Sequence, residues 1–247
     1  MDSAVTMLPD HGHAHAHGMD YRIDFRPTAA LATLTLPPGY TVRAESGAMV
    51  SMGGDVTLDS SMEGGLWGAV KRSAGGRSGF VSRFTGPGEL ALAPPAPGDV
   101  VPVELTGRPY AIAAHGYLAS SDGVEIDTGW GGAKSFFASQ SAFVLQASGI
   151  GVVLLSAFGA LAHRTLAPGE RHLVDTGHLI AWPADSHYTV RKATRSLFRS
   201  VTSGAGLVAE FTGPADLLLQ TRDLRALATA LTPHLPKSQG TTEGTDG

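Results

Sequence analysis

The chain has 247 residues, of which 43% are hydrophobic and 16% charged, with a formal net charge of −4. The charged fraction lies below the ~25% of an average soluble domain, which indicates much buried or self-associating surface, and the negative balance argues against a nucleic-acid partner. Because the chain has no cysteine, disulfides, thiolate zinc sites and cysteine nucleophiles are excluded, and a reducing compartment is compatible.

The N-terminal segment, residues 1–19, is rich in histidine, glycine and alanine. Such a composition buries little apolar surface, so we predict a disordered His-rich arm. Its histidines suit a nickel, copper or zinc tether, but we favour an expression leader or a solvated tail as their explanation. The first 20 residues contain no basic region followed by a long apolar run, so we predict a cytoplasmic protein without a secretory signal.

From Tyr21 onward, short runs of alternating apolar and polar residues are separated by glycine and proline, which predicts an all-β domain over residues 20–220. Three segments share a strand, a Pro-Gly turn, a second strand, and a glycine before an apolar strand. We therefore predict three diverged tandem repeats at approximately 20–83, 84–157 and 158–220. The glycines that mark turns or close backbone packing are Gly39, Gly47, Gly98, Gly116, Gly169 and Gly177.

The stretch from Ser135 to His163 contains no Asp, Glu, Lys or Arg. Its length makes a membrane helix a candidate, but its unbroken apolar run is shorter than about 18 residues and polar residues divide it. We predict two buried strands joined at Ser148-Gly149 and no transmembrane segment. Association with a membrane surface through Phe136-Phe137 and Leu154-Leu155 is a weaker alternative.

The C-terminal segment, residues 221–247, combines a helix with a polar tail. Thr221 to Leu231 places leucines on one helical face and Pro233 ends the pattern, so we predict a short helix that covers a sheet edge. The sequence beyond Lys237 is compositionally disordered.

Possible metal ligands concentrate in the third repeat. Glu170, His172 and His178 are the candidates, with Asp175 between the two histidines. A cupin-like site needs two histidines at H-x-H spacing with a glutamate shortly after, whereas here the histidines are six residues apart and Glu170 precedes both. Neither a nucleophile elbow nor a phosphate-binding loop is present in the sequence, so the sequence offers no catalytic residues and no cofactor.

Several motifs, taken in order, resemble the AIM24 family of uncharacterised proteins. The motifs are PGYTVRAESGAMVSM (38–52), EGGLWGAVKRSAGG (63–76), FTGPGELALAP (84–94), GYLAS (116–120), FF (136–137), GIGVVLLSAFGAL (149–161) and PGERHLVDTGHLIAW (168–182). The resemblance implies a fold similar to the tryptophan RNA-binding attenuator protein (TRAP), a β-sandwich or double-stranded β-helix repeated with approximate threefold symmetry. It implies no active site, and the attenuator's RNA binding does not follow from a shared fold.

These observations favour a non-catalytic scaffold or binding protein that assembles as a homo-oligomer, with a protein or peripheral membrane partner possible. The alternative is a metal-dependent or small-ligand enzyme of double-stranded β-helix type that uses the third-repeat histidines.

Overall fold

The computed structural model describes residues 6–7, 13–59, 81–127, 144–192 and 207–235. Within these ranges β-strands predominate, all pairings between them are antiparallel, and there is one short α-helix. The predicted all-β class is therefore confirmed at that level.

The first set of strands lies before residue 93. In chain order the strands are β1 (Thr6–Met7), β2 (His13–Ala16), β3 (Met19–Asp24), β4 (Leu31–Leu36), β5 (Thr41–Glu45), β6 (Met49–Met52), β7 (Thr57–Asp59), β8 (Val81–Thr85) and β9 (Gly88–Leu92). β4 and β6 both pair with β9, whereas β5 and β7 both pair with β8. The hairpin of β2 and β3 extends the sheet beyond β4.

The middle set of strands is organised around one long strand. The set comprises β10 (Gly98–Thr106), β11 (Tyr110–Ala113), β12 (Tyr117–Ser121), β13 (Val124–Asp127) and β14 (Val144–Phe158). The C-terminal part of β14 pairs with β10 and β12, and its N-terminal part pairs with β11 and β13. β1 pairs with the outer side of β10.

The last set of strands precedes the helix. It comprises β15 (Leu161–Leu166), β16 (Arg171–Asp175), β17 (Leu179–Pro183), β18 (His187–Lys192), β19 (Leu207–Thr212) and β20 (Ala215–Gln220). β15 and β17 both pair with β20, whereas β16 and β18 both pair with β19.

Two further pairings connect the three sets. β12 of the middle set pairs with β5 of the first, and β17 of the last set pairs with β11 of the middle. The hydrophobic core crosses these connections: its first cluster includes Leu118 and Leu154 from the middle set, and its second includes Ile180 and Leu218 from the last. Apolar side chains from neighbouring sets thus pack in the same core clusters, and their burial stabilises the connections between the sets.

The region predicted as two strands with a turn at Ser148-Gly149 is instead the single 15-residue strand β14. Gly149 and Gly151 have φ values of +105° and +158°, and a Cβ at Gly149 would collide with the backbone oxygen of Gly123. Glycine lets the strand continue through a distortion that would otherwise end it. Leu154 and Leu155 are buried, so they are not available to a membrane surface; Phe136 and Phe137 lie outside the described residues.

The Pro-Gly turns behave differently in the three sets. Gly39 and Gly169 have φ values of +75° and +78°, as a tight reversal requires. Gly98 is instead the first residue of β10, where a Cβ would collide with the carbonyl oxygen of Ala157. The turn predicted at Pro97-Gly98 is therefore wrong, and the reversal after β10 contains Gly107, with φ +105°.

The N-terminal arm is ordered where the structure describes it. The prediction of disorder over residues 1–19 fails for His13–Ala16, which form β2 and pair with residues 19–22 of β3. His15 Nδ1 lies 2.7 Å from Asp20 Oδ1, and His17 Nε2 lies 2.7 Å from Glu104 Oε1. Local pairing supplies the backbone hydrogen bonds that composition alone does not reveal.

The helix α1 (Leu224–Leu231) is shorter than predicted, because Asp223 caps it by accepting a hydrogen bond from the Arg225 amide. Its leucine face was expected to cover a sheet edge. Instead Leu224, Leu227 and Leu231 are all exposed. Among the described residues no helix is long and apolar enough to cross a membrane.

Candidate functional site

The predicted metal ligand Glu170 has a structural role at the turn between β15 and β16. Its Oε2 accepts a hydrogen bond from the Ala167 amide at 2.9 Å, and its Oε1 accepts one from Arg164 Nη2 at 2.8 Å. The amide hydrogen bond, followed by the one from Arg164, lowers the pKa of the Glu170 carboxyl below its ordinary value. Both carboxylate oxygens therefore serve to close the Pro-Gly turn.

The predicted metal ligand His178 is likewise bound to backbone. Its Nδ1 donates to the carbonyl oxygen of Gln220 at 2.8 Å, and Gln220 Nε2 donates to the carbonyl of Gly177 at 2.7 Å. His172 lies on β16 opposite Phe211. Within the described ranges, no three His, Cys, Asp or Glu side chains lie close enough together to hold a metal ion.

Other charged side chains in the last set form ion pairs between strands. Glu210 on β19 is nearly buried and is bracketed by Arg171 from β16 and Arg191 from β18. Asp216 accepts a hydrogen bond from the Thr165 hydroxyl at 2.7 Å and lies 2.9 Å from His163 Nε2. These pairs hold neighbouring strands together.

A different feature is formed by the end strands of two sheets. β6 is the last strand of a five-stranded sheet and β16 the last strand of a three-stranded sheet, so in the described structure each pairs on one side only. β6 exposes three apolar side chains: Met49 at 41%, Val50 at 57% and Met52 at 39%. On β16, Leu173 is 38% exposed. We define these two strands as the open edges.

The centres of the two open edges carry no charged residue or proline that would block pairing with another strand. Natural edge strands are commonly blocked by lysine, proline or an inward-pointing charge. β6 reads MVSM, with no charge and no proline, and β16 reads RHLVD, with its charges at the two ends. A strand of this kind is a template for pairing with another strand. Sequence analysis missed it, because whether a strand is paired on one side or on both depends on the assembled sheets.

The fold and its sites define an antiparallel β protein whose polar clusters are structural and whose sheets end in open edges. The family model described as "Mitochondrial biogenesis AIM24" matches residues 21–222. The chain therefore belongs to the AIM24 family, which confirms the resemblance found in its motifs.

Two similar proteins come from the same species. An uncharacterised protein of Streptococcus pyogenes serotype M6 is 29% identical over 231 residues, spanning 89% of this chain and 92% of that protein. An X-ray crystal structure of a Streptococcus pyogenes protein superimposes with a TM-score of 0.71 at 28% identity, covering 88% of this chain and all of that one.

Proposed function

We propose that this protein is a non-catalytic, self-associating scaffold built from three diverged copies of one β unit. The observation that carries the proposal is the pair of open edges, because an exposed edge strand with no charge at its centre is a template for pairing with another strand. The low charged fraction of the sequence supports the same conclusion. The scaffold needs no catalytic centre, since its activity is to present and join surfaces.

Three similar pairing patterns support the three-copy arrangement. When β1 to β3 are left aside, the first and third strands of each set pair with its last segment, and the second and fourth strands pair with the segment before it. In the middle set both segments are parts of β14. The units proposed on this basis are residues 31–92, 98–158 and 161–220. They differ from the sequence-based boundaries because β9 pairs with β4 and β6 rather than with the strands after it.

A TRAP-like, approximately threefold arrangement of these units is part of the proposal, as is a homo-oligomer without a nucleic-acid partner. The absence of cysteine supports a reducing location such as the cytoplasm. A metal-dependent enzyme is the competing function. It is disfavoured because Glu170 and His178 already bind neighbouring backbone groups.

Native mass spectrometry of the full chain tests the proposed function, since one spectrum reports the subunit number and any retained metal or small molecule. We expect a single oligomer without a stoichiometric adduct. A monomer at every concentration would refute self-association. A metal retained in one copy per chain, and lost on substituting Glu170 and His178, would favour the competing metal-dependent function instead.

A further inference from the structure

The two connections between strand sets use the same register. In the first, β12 lies against β5 with Ala119 opposite Ala44. Ala119 is three residues after Gly116, and Ala44 is three residues before Gly47. The other residue pairs of this connection also lie at equal sequence separations from the two glycines, as Ser121 opposite Val42 shows.

The second connection has the same count with different residues. β17 lies against β11 with Ala181 opposite Ile112. Ala181 is four residues after Gly177, and Ile112 is four residues before Gly116. In both connections, the strand that follows one of the glycines Gly47, Gly116 and Gly177 pairs with the strand that precedes another of them. Paired residues lie the same number of positions along the sequence from their respective glycines. Both connections obey one rule.

By this rule, one strand that follows a glycine and one strand that precedes a glycine have no partner strand among the described pairings. β6 is the strand that follows Gly47, and β16 is the strand that precedes Gly177. The structure does not pair them with each other within one chain. They are the two open edges, and each is equivalent to strands that are covered at both connections.

Burial at the equivalent positions shows what is missing. In the covered strand β12, the residues three to five positions after the glycine are Ala119, Ser120 and Ser121, and all are buried. In β6 the equivalent residues begin with Val50 and end with Met52, and both are exposed. Adding a strand along this edge would satisfy its backbone groups and remove apolar surface from water.

We propose that β6 of one molecule pairs antiparallel with β16 of a second molecule of this chain, which rests on the proposed self-association and specifies its interface. Equal counting from the glycines gives the register: Val50 opposite Val174, Ser51 opposite Leu173, and Met52 opposite His172. The occupant is a second copy because β6 and β16 match each other by this rule and yet belong to different sheets and are not paired within one chain. The contact joins unlike surfaces, so it is head-to-tail and builds closed rings when the rotation allows.

Engineered disulfides test this register directly, because the wild-type chain has no cysteine. Residues directly opposite in an antiparallel pair have Cα atoms roughly 4.5 to 5.5 Å apart, within the range that a disulfide spans. Ser51→Cys and Leu173→Cys are made as two separate proteins, both at exposed positions. They are mixed in equal amounts, allowed to exchange subunits, oxidised and analysed on a non-reducing gel.

We expect a covalent two-chain product from the mixture, at least ten times more abundant than from either protein alone. Thr189→Cys is the matched control for Leu173→Cys. It places an exposed cysteine on β18, at the other side of the same three-stranded sheet, and should give no product with Ser51→Cys. Self-linking of Ser51→Cys to the same extent as the mixture would indicate a like-with-like contact and overturn the proposal.

Two more outcomes separate this proposal from the proposed function. An oligomer in native mass spectrometry without the mixed disulfide would overturn the interface and leave the scaffold intact. A monomer that forms the link only within the Ser51→Cys/Leu173→Cys double variant would overturn both, since the edges then close within one chain.

A second perturbation covers the case in which a cysteine variant fails to fold. Val50→Lys places a charge on the open edge, and Ile150→Lys places one at an exposed apolar position outside the proposed contact. We expect Val50→Lys to raise the dissociation constant of the oligomer at least tenfold and Ile150→Lys to leave it unchanged. Equal effects of both substitutions would contradict the assignment of the edge.

Discussion

Replacement of Phe211 by alanine should be among the most destabilising substitutions in the chain. Phe211 is fully buried. Its ring stacks on Tyr188 with centroids 5.1 Å apart and meets Trp182 edge-on at 5.9 Å. Truncating a buried phenylalanine costs about 3 to 5 kcal/mol, and the two aromatic contacts place the expected loss in free energy of unfolding at the upper end, about 5 kcal/mol.

Phe84 is the matched comparison for this prediction, because it precedes the same Thr-Gly-Pro sequence and is also buried. Two of the aromatic ring contacts between described residues involve Phe211, and none of them involves Phe84. Phe84→Ala should therefore cost less, about 3 to 4 kcal/mol. Urea unfolding at equal protein concentration measures both. A loss below about 2 kcal/mol for Phe211→Ala, or a larger loss for Phe84→Ala, would refute the packing argument.

Three further substitutions test polar and surface contacts by the same unfolding assay. Asp99→Asn should lower the free energy of unfolding by about 3 kcal/mol, because Asp99 is buried and binds Arg26 through both carboxylate oxygens. Asp185→Asn, in an exposed ion pair, should lower it by less than about 1 kcal/mol. Equal losses for the two variants would contradict the argument that burial makes the Asp99 ion pair the stronger one. Glu170→Gln should remove a contribution to folding stability that is present above pH 4.5 and lost as the pH falls, because the folded-state pKa of Glu170 is lowered. A difference in stability between variant and wild type that persists at low pH would contradict this. Leu227→Asp should change stability by less than about 1 kcal/mol, since its helix face is exposed; a larger loss would show that the face is covered.

Sequence reasoning succeeded where local chemistry decides the structure. Alternating apolar residues identified the strands, and the Pro-Gly pairs at Gly39 and Gly169 identified reversals because both glycines take positive φ. The helix after Thr221 was found from leucine spacing, although its start depends on the cap at Asp223. Family membership followed from motifs that keep the same order along most of the chain.

It failed where long-range pairing overrides the local pattern. Pro97-Gly98 has the sequence of a turn, but Gly98 is needed for close approach to Ala157. His13–Ala16 have the composition of a tail, but β3 offers them a pairing edge. In both cases the determining contact involves a backbone whose position the local sequence does not specify.

The candidate site shows the same division. Glu170 and His178 were singled out as candidate metal ligands from their residue types, yet their hydrogen-bond partners include Ala167 and Gln220 backbone groups that no motif identifies. The open edges were not predicted at all. An unpaired strand is defined by which other strands surround it, and this information exists only in the assembled sheets.

Hydrogen–deuterium exchange of the assembled protein tests the central claim most directly, because it reads the backbone amides of the open edges themselves. We predict that the amides of residues 49–52 and 171–174 that point away from β9 and β19 are protected in the oligomer, and that they exchange rapidly after dilution into monomer or in Val50→Lys. The outer strand β18 should show no such change. Rapid exchange of both open edges in an intact oligomer would contradict the claim that these strands hold the assembly together.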